Sequence, residues 1–307
     1  MNGTLAVARY TLVELSRRRI LLVLFIIGAV GIALIGGALK IILVTSPTSV
    51  SGGFVPPGSV APDPALFDRV TELQFVSQLI DVVGFFALLI AFAIGMTAIY
   101  HDLESGAAVG IFSKPVSRFA FTAGKVIAAL VAMIVIVGLL SIETRLAMSL
   151  FGGGLEGALW VETLAAVANA ALLMLVVLTL STWMNNIIAA VVAFIYNAVG
   201  GVIVLLHSAL ATGSLGDNAL VKLGLNIAYW LVPHHLMSDA KRQLAKAEYD
   251  LFIAEAQGQG QGQGGPTLAD FVNAVPGASG IPDILWWVLL VALMAALVYI
   301  GVRRRQV

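Results

Sequence analysis

Uninterrupted apolar runs about as long as a bilayer is thick constrain this chain more than any other feature. A helix needs about 20 apolar residues to cross the hydrocarbon core, and the sequence offers such runs repeatedly. They read as six spans, at residues 20–44, 79–100, 119–142, 163–182, 187–207 and 283–302. The third carries Lys125 near its start, placed to snorkel to the interface. The uncharged stretch from Thr163 to Gly216 is too long for one crossing, and Trp183, Met184, Asn185 and Asn186 supply a polar turn that divides it. Backbone groups inside a bilayer must be satisfied within their own segment, so the predicted fold class is all-α, a polytopic integral membrane protein with six transmembrane helices. Composition agrees. Hydrophobic residues make up 60% of the chain and charged residues 11%, too little polar surface to cover a soluble domain. No basic face is present that would bind nucleic acid.

The bases orient the spans. With the N-terminus in the cytoplasm, the inner segments are 1–19, 101–125, 183–186 and 303–307. They hold ten Lys and Arg against three acids, whereas the rest of the chain holds seven bases and fourteen acids. That is the positive-inside pattern, with both termini cytoplasmic in a multi-pass cell (plasma or inner) membrane protein. The first run is longer than the about 7–15 residues of a signal-peptide core and is read as a span, not a cleaved leader. Residues 220–232 are apolar but short, and a seventh crossing would put Arg303, Arg304 and Arg305 outside. They are read as an interfacial or re-entrant helix on the outer side.

Outside the spans, Leu5, Ala8, Leu12 and Leu15 recur at helical spacing, with Arg9, Glu14 and Arg17 to Arg19 offset from them. Residues 1–19 therefore read as an amphipathic helix lying on the inner interface of the lipid bilayer. Residues 45–78 form an outer segment rich in Pro, Ser and Gly, with a short helix near 66–78. The outer segment 208–282 contains a helix over 234–257, then a Gln-Gly linker from Gly258 to Gly265.

Most catalytic chemistry has no foothold in the sequence. There is no Cys, hence no disulfide, thiolate metal site or Cys nucleophile. Gly124-Lys125 is followed by Val126 and has no preceding glycine at the offset a phosphate-binding loop requires, so the chain has no nucleotide-binding motif. His234 and His235 are adjacent and face different sides of a helix, which suits chelation poorly. No catalytic, cofactor-binding or metal-ligating residue is assigned. Glu143 and Arg145, at the outer end of the third span, read either as a pathway contact or as an interfacial pair. Asn197, followed by Gly200 and Gly201 in the fifth span, is suited to a helix interface, between subunits or along a pathway.

The connection between spans two and three departs from simple loop chemistry. Asp102 and Glu104 precede a short apolar stretch from Ala107 to Phe112 that contains Gly110, Pro115 breaks it, and Arg118 and Lys125 mark re-entry into the membrane. Glu104 with Gly106, then Ser113-Lys114-Pro115-Val116-Ser117-Arg118 and Gly124-Lys125, resemble the permease subunit of ABC-2 type transporters. There the same connection has an E-x-x-G element, a short apolar helix, P-x-S-R and a Gly-Lys pair. Here Gly106 stands one residue nearer its acid. The six-span layout, the basic N-terminal helix and the long outer segment before the last span extend the likeness.

The resemblance implies a coupling segment over 101–118, with a short cytoplasmic helix that docks a separate ABC ATPase subunit. Asp102 and Glu104 would contact that subunit, while Arg118 and Lys125 would anchor the segment to lipid phosphates or neighbouring backbone. It further implies that ATP and Mg bind the partner and that this chain is non-catalytic. A second permease chain, identical or paralogous, would complete an exporter. The competing readings are a polytopic membrane enzyme and a secondary transporter without an ATPase partner. Both need reactive or ionisable groups at mid-depth, where these spans are almost free of charge.

Overall fold

The computed structural model describes residues 3–45, 64–104, 116–151, 156–211, 218–232, 236, 239–258, 267–275 and 280–304. In chain order the helices are α1 (Gly3–Ser16), α2 (Arg19–Thr45), α3 (Pro64–Thr97), α4 (Tyr100–Glu104), α5 (Arg118–Phe151), α6 (Glu156–Trp183), α7 (Asn186–Ala211), α8 (Ala219–Leu231), α9 (Asp239–Gly258), α10 (Leu268–Ala274) and α11 (Ile281–Arg304). Six of them, α2, α3, α5, α6, α7 and α11, are long and apolar enough to cross a membrane. The chain is thus an all-α, multi-pass membrane protein.

Local chemistry sets several of the boundaries. Pro64 opens α3, where its missing N–H costs nothing. The turn between α6 and α7 is two residues long. Asn185 caps it, its Oδ1 accepting from the Ile187 N–H at 3.0 Å. Asn218 does the same for α8, accepting from the Leu220 N–H at 3.0 Å.

Burial ranks the helices. Every residue of α6 from Ala170 to Thr179 is buried, so this stretch of the helix is enclosed on all sides. Packed around it are α3, α5, α7 and α11, and α2 lies outside against α3 and α5. The peripheral helices turn broad apolar faces outward: Leu22, Ile26 and Ile27 on α2, and Ile187, Val191, Phe194, Ile195 and Val202 on α7 are all exposed. That is the pattern of a bundle whose solvent is lipid.

Three boundaries differ from the sequence reading. The short helix near 66–78 and the span beginning at 79 are one continuous helix, α3, because no Gly or Pro interrupts the chain between them. The third span runs past residue 142 to Phe151. At 34 residues each, α3 and α5 are about 51 Å long, against about 30 Å of hydrocarbon, so both project beyond it. The helix read over 234–257 begins at Asp239.

The projection of α3 is covered by α9. Lys241 pairs with Asp81 at 2.5 Å and Gln74 Nε2 donates to Glu248 Oε1 at 3.5 Å, so one helix ascends as the other descends. Between them Val70, Leu73 and Ala247 are buried, flanked by Leu244 and Leu251. α10 packs on α9 through Tyr249, Phe252 and Phe271. Asn169 of α6 ties down the chain before α9, bonding both the N–H of Leu236 (2.8 Å) and its carbonyl (3.2 Å).

The α3–α6 contact depends on Gly95. A Cβ there would lie 2.8 Å from Val177 Cβ and 3.1 Å from the Met174 carbonyl oxygen. Gly95→Ala is expected to lower stability by on the order of 1–3 kcal/mol, seen as a lower unfolding midpoint in mild detergent. Gly138, on α5, has open space at the same position. Gly138→Ala is expected to leave the midpoint unchanged or raise it, since Ala favours a helix interior over Gly by about 0.5–1 kcal/mol.

Candidate functional site

The described part of the stretch 101–125 meets α1 at one end of the bundle. α4 follows α3 after a break at Ala98 and Ile99. Its Asp102 is 3% exposed and directed inward, with Oδ2 2.6 Å from the ammonium of Lys125 on α5. Lys125 has no exposed surface. A second carboxylate reaches it from α1, Glu14 Oε2 at 3.4 Å, and Glu14 is itself paired with Arg18. The rings of Tyr10 and Phe121 lie 5.8 and 5.9 Å from the ammonium, within cation–π range. Lys125 therefore neither snorkels nor faces lipid phosphates. It is the centre of an ion cluster joining three helices.

Gly124 explains how α1 comes so near. A Cβ at that position would lie 2.7 Å from the Thr4 carbonyl oxygen and 2.8 Å from Val7 Cβ. The Gly-Lys pair thus has two structural tasks: the glycine admits α1 and the lysine fixes it. The buried face of α1 is Val7, Ala8, Thr11 and Leu15. Leu5, expected on the apolar stripe, is exposed together with Tyr10 and Val13. The helix carries apolar residues on two faces, one turned to α5 and one outward.

Other residues of the stretch fall in different settings. Glu104 is exposed and accepts a hydrogen bond from the Tyr100 hydroxyl at 3.1 Å. Arg118 Nη1 donates to the carbonyl oxygen of Arg303 at 2.7 Å, satisfying a terminal carbonyl of α11 with a cation. Arg304 stacks over Trp183 at 5.0 Å. These contacts bring the start of α5, the end of α6 and the end of α11 together, beside α1 and α4. Both ends of the described chain therefore lie at the same, basic end of the bundle. Gly106, Phe112 and Pro115, and with them the short apolar helix of the connection, lie outside the described residues.

The two other candidate positions stand apart from this cluster. Glu143 and Arg145 are half-buried inside α5, well before its end at Phe151. Asn197 is half-buried on α7, next to buried Gly200 and exposed Gly201. At the end opposite the basic one, α8 packs on α7. Tyr196 donates to the Leu231 carbonyl at 3.0 Å and His207 bonds Asn226 at 3.1 Å. The Tyr229 hydroxyl donates to Asp283 Oδ1 at 2.9 Å, and its ring stacks on His207 at 4.3 Å. Burial, and then the Asp283 carboxylate, push the Tyr229 phenol well above its ordinary range. Among the described residues no three His, Asp or Glu side chains converge to hold a metal ion; His234 and His235 lie outside them.

Glu14, Tyr10 and Phe121 are the members of the cluster that the sequence reading did not single out as site residues. Glu14 stands four residues before Arg18, the spacing of a helical ion pair, but nothing in the sequence points from it to Lys125. No family model matches the chain, and no curated protein is similar enough to count as a relative.

A buried ammonium and carboxylate stabilise each other only as a pair. Lys125→Met keeps the side-chain bulk and strands Asp102, so the expected loss is on the order of 3–5 kcal/mol, read as a lower unfolding midpoint in detergent. Adding Asp102→Asn removes the stranded charge and is expected to restore most of that loss. A second substitution that adds its full cost to the first would contradict the pairing.

Proposed function

We propose that the chain is the membrane-spanning permease subunit of an ABC transporter, which works with a separate cytoplasmic ATPase subunit and a second permease chain to carry a substrate outward. ATP and Mg belong to the ATPase partner, and the permease itself is non-catalytic. The basic end of the bundle is then the cytoplasmic face, with both termini on it, in the cell membrane.

The observation that carries this reading is the division of labour on α4. Its two carboxylates are two residues apart and have opposite surroundings. Asp102 is locked to α5 through Lys125, while Glu104 is exposed at the surface of the basic end. A protein that grips Glu104 and the adjoining connection pulls on a membrane-crossing helix through a short, buried ion pair. Rigid helices carry such a displacement, and ATP binding on the partner biases which position is occupied. The Lys125 cluster sits at one end of the bundle rather than at mid-depth. That favours a device driven from outside the bilayer over a secondary transporter, which needs ionisable or ion-binding groups near the midplane. It equally disfavours a membrane enzyme.

The test is affinity purification of the tagged chain from its native cells in mild detergent, with mass spectrometry of what remains bound. The expected result is a stoichiometric partner with a phosphate-binding loop of the Gly-rich, Lys-Ser/Thr type. Its recovery should fall about tenfold or more with Glu104→Lys, since like charges across an interface cost several kcal/mol. Recovery of the chain with no ATPase, or equal recovery with Glu104→Lys, would overturn the reading or its contact respectively.

A further inference from the structure

We infer that α1 is a separable arm, which leaves α5 and returns together with the α1–α2 corner, while α4 stays clamped to α5. The charges carry the inference. Lys125 is 2.6 Å from Asp102 but 3.4 Å from Glu14, and Glu14 is already paired with Arg18. Two cations and two carboxylates make a neutral group, and it divides along the α1–α5 seam into two neutral halves. Glu14 and Arg18 go with the corner; Asp102 and Lys125 stay behind. The longer of the two lysine contacts is the one that crosses the seam.

Division between α4 and α5 has no such solution. Asp102 would leave as a bare carboxylate, and Lys125 would keep only a carboxylate it shares with Arg18. Removing one partner of a buried pair is far costlier than parting two neutral pairs. Exposure points the same way. Glu14 and Arg18 side chains are 21% and 23% exposed, so water already reaches that half, whereas Lys125 is fully buried and Asp102 nearly so.

The apolar contacts permit the motion. The docked face of α1 is Val7, Ala8, Thr11 and Leu15, and the far side offers exposed Leu5 and Val13, while Tyr10, also exposed, stands at the edge of the seam with its ring beside Lys125. An interfacial helix with apolar residues on both sides can trade α5 for lipid, because hydrocarbon chains are as apolar as the side chains they replace. The fit over Gly124 makes the docked position the ground state. Undocking uncovers the Asp102–Lys125 pair and the first turns of α5, so α1 acts as a cover over the junction between the two.

The chain contains no Cys, so an introduced thiol is the only one present. Thr11→Cys places it in the α1–α5 seam, where Thr11 is fully buried. Thr182→Cys places it at the same end of the bundle, buried on α6 against Gly301 of α11. In native membranes, N-ethylmaleimide is expected to alkylate the first at least about tenfold faster than the second, since local opening of a seam sets the rate. Glu14→Gln should speed the Thr11→Cys reaction several-fold and leave Thr182→Cys unchanged. Asp102→Asn, which leaves Glu14 as the remaining carboxylate on Lys125, should slow it. A seam thiol as protected as the control, or equal effects of Glu14→Gln and Asp102→Asn, would overturn the inference. The comparison of the two thiols in the otherwise unaltered chain decides the matter even where a charge variant fails to fold. It is read without any partner protein, so it stands or falls separately from the permease reading.

Discussion

An ammonium group with no exposed surface must be held by carboxylates brought to it from elsewhere in the chain, because an unpaired ion in a medium of low polarity is far less stable than in water. Lys125 sets that condition, and the basic end of the molecule is arranged to meet it. Asp102 arrives on α4, which breaks from α3 and turns inward. Glu14 arrives on α1, held flush against α5 where Gly124 has no side chain. Arg18 balances the second carboxylate and closes the corner into α2. A lysine at this depth that merely reached for water would impose none of this. The paired one fixes three helices and two segments of chain that enter from different directions.

The two ends of the bundle are built on different principles. Within the hydrocarbon, burial offers helices no hydrophobic advantage over lipid, so close packing holds them. The enclosed run on α6 and the meeting of Gly95 with Val177 are the visible results. Beyond the hydrocarbon, α3 continues as an ordinary water-exposed helix would. Its outer part is covered by α9 with a small apolar seam of Val70, Leu73 and Ala247 and an ion pair at the edge. At the basic end charges do the joining. Positioning there is therefore sensitive to single charge changes in a way the apolar middle is not, which is what a site of mechanical input requires.

The architecture was legible because its cause is local. Six apolar runs, the Asn-containing turn at 183–186 and the short helix over 220–232 each announce themselves within a few residues. The continuity of α3 was missed for the converse reason. Its polar outer half reads as a separate short helix until α9 supplies the partner that buries Val70 and Leu73. The charge cluster was half legible. Asp102, Arg118 and Lys125 stood out by type and spacing, but their roles follow from tertiary contacts. Asp102 points inward rather than outward, Lys125 is buried rather than anchored to lipid, and Arg118 bonds a carbonyl 185 residues away. Glu14 lies 111 residues from the lysine it meets, and no local pattern carries information across that distance. The face of α1 was legible in part: Ala8 and Leu15 of the expected stripe are buried, while Leu5 is exposed and Val7 and Thr11 are covered, because the position of α5 decides which side is enclosed.

Amine footprinting of the intact protein in membranes tests the central role of Lys125 most directly. Brief reductive methylation, followed by peptide mass spectrometry, compares it with Lys246, an exposed lysine on α9. Lys125 is expected to stay unmodified while Lys246 reacts to completion, and to become reactive once the protein is unfolded. Modification of both at similar rates in the folded protein would mean that the ammonium lies at the lipid–water interface, and the cluster on which this description of the basic end depends would not exist.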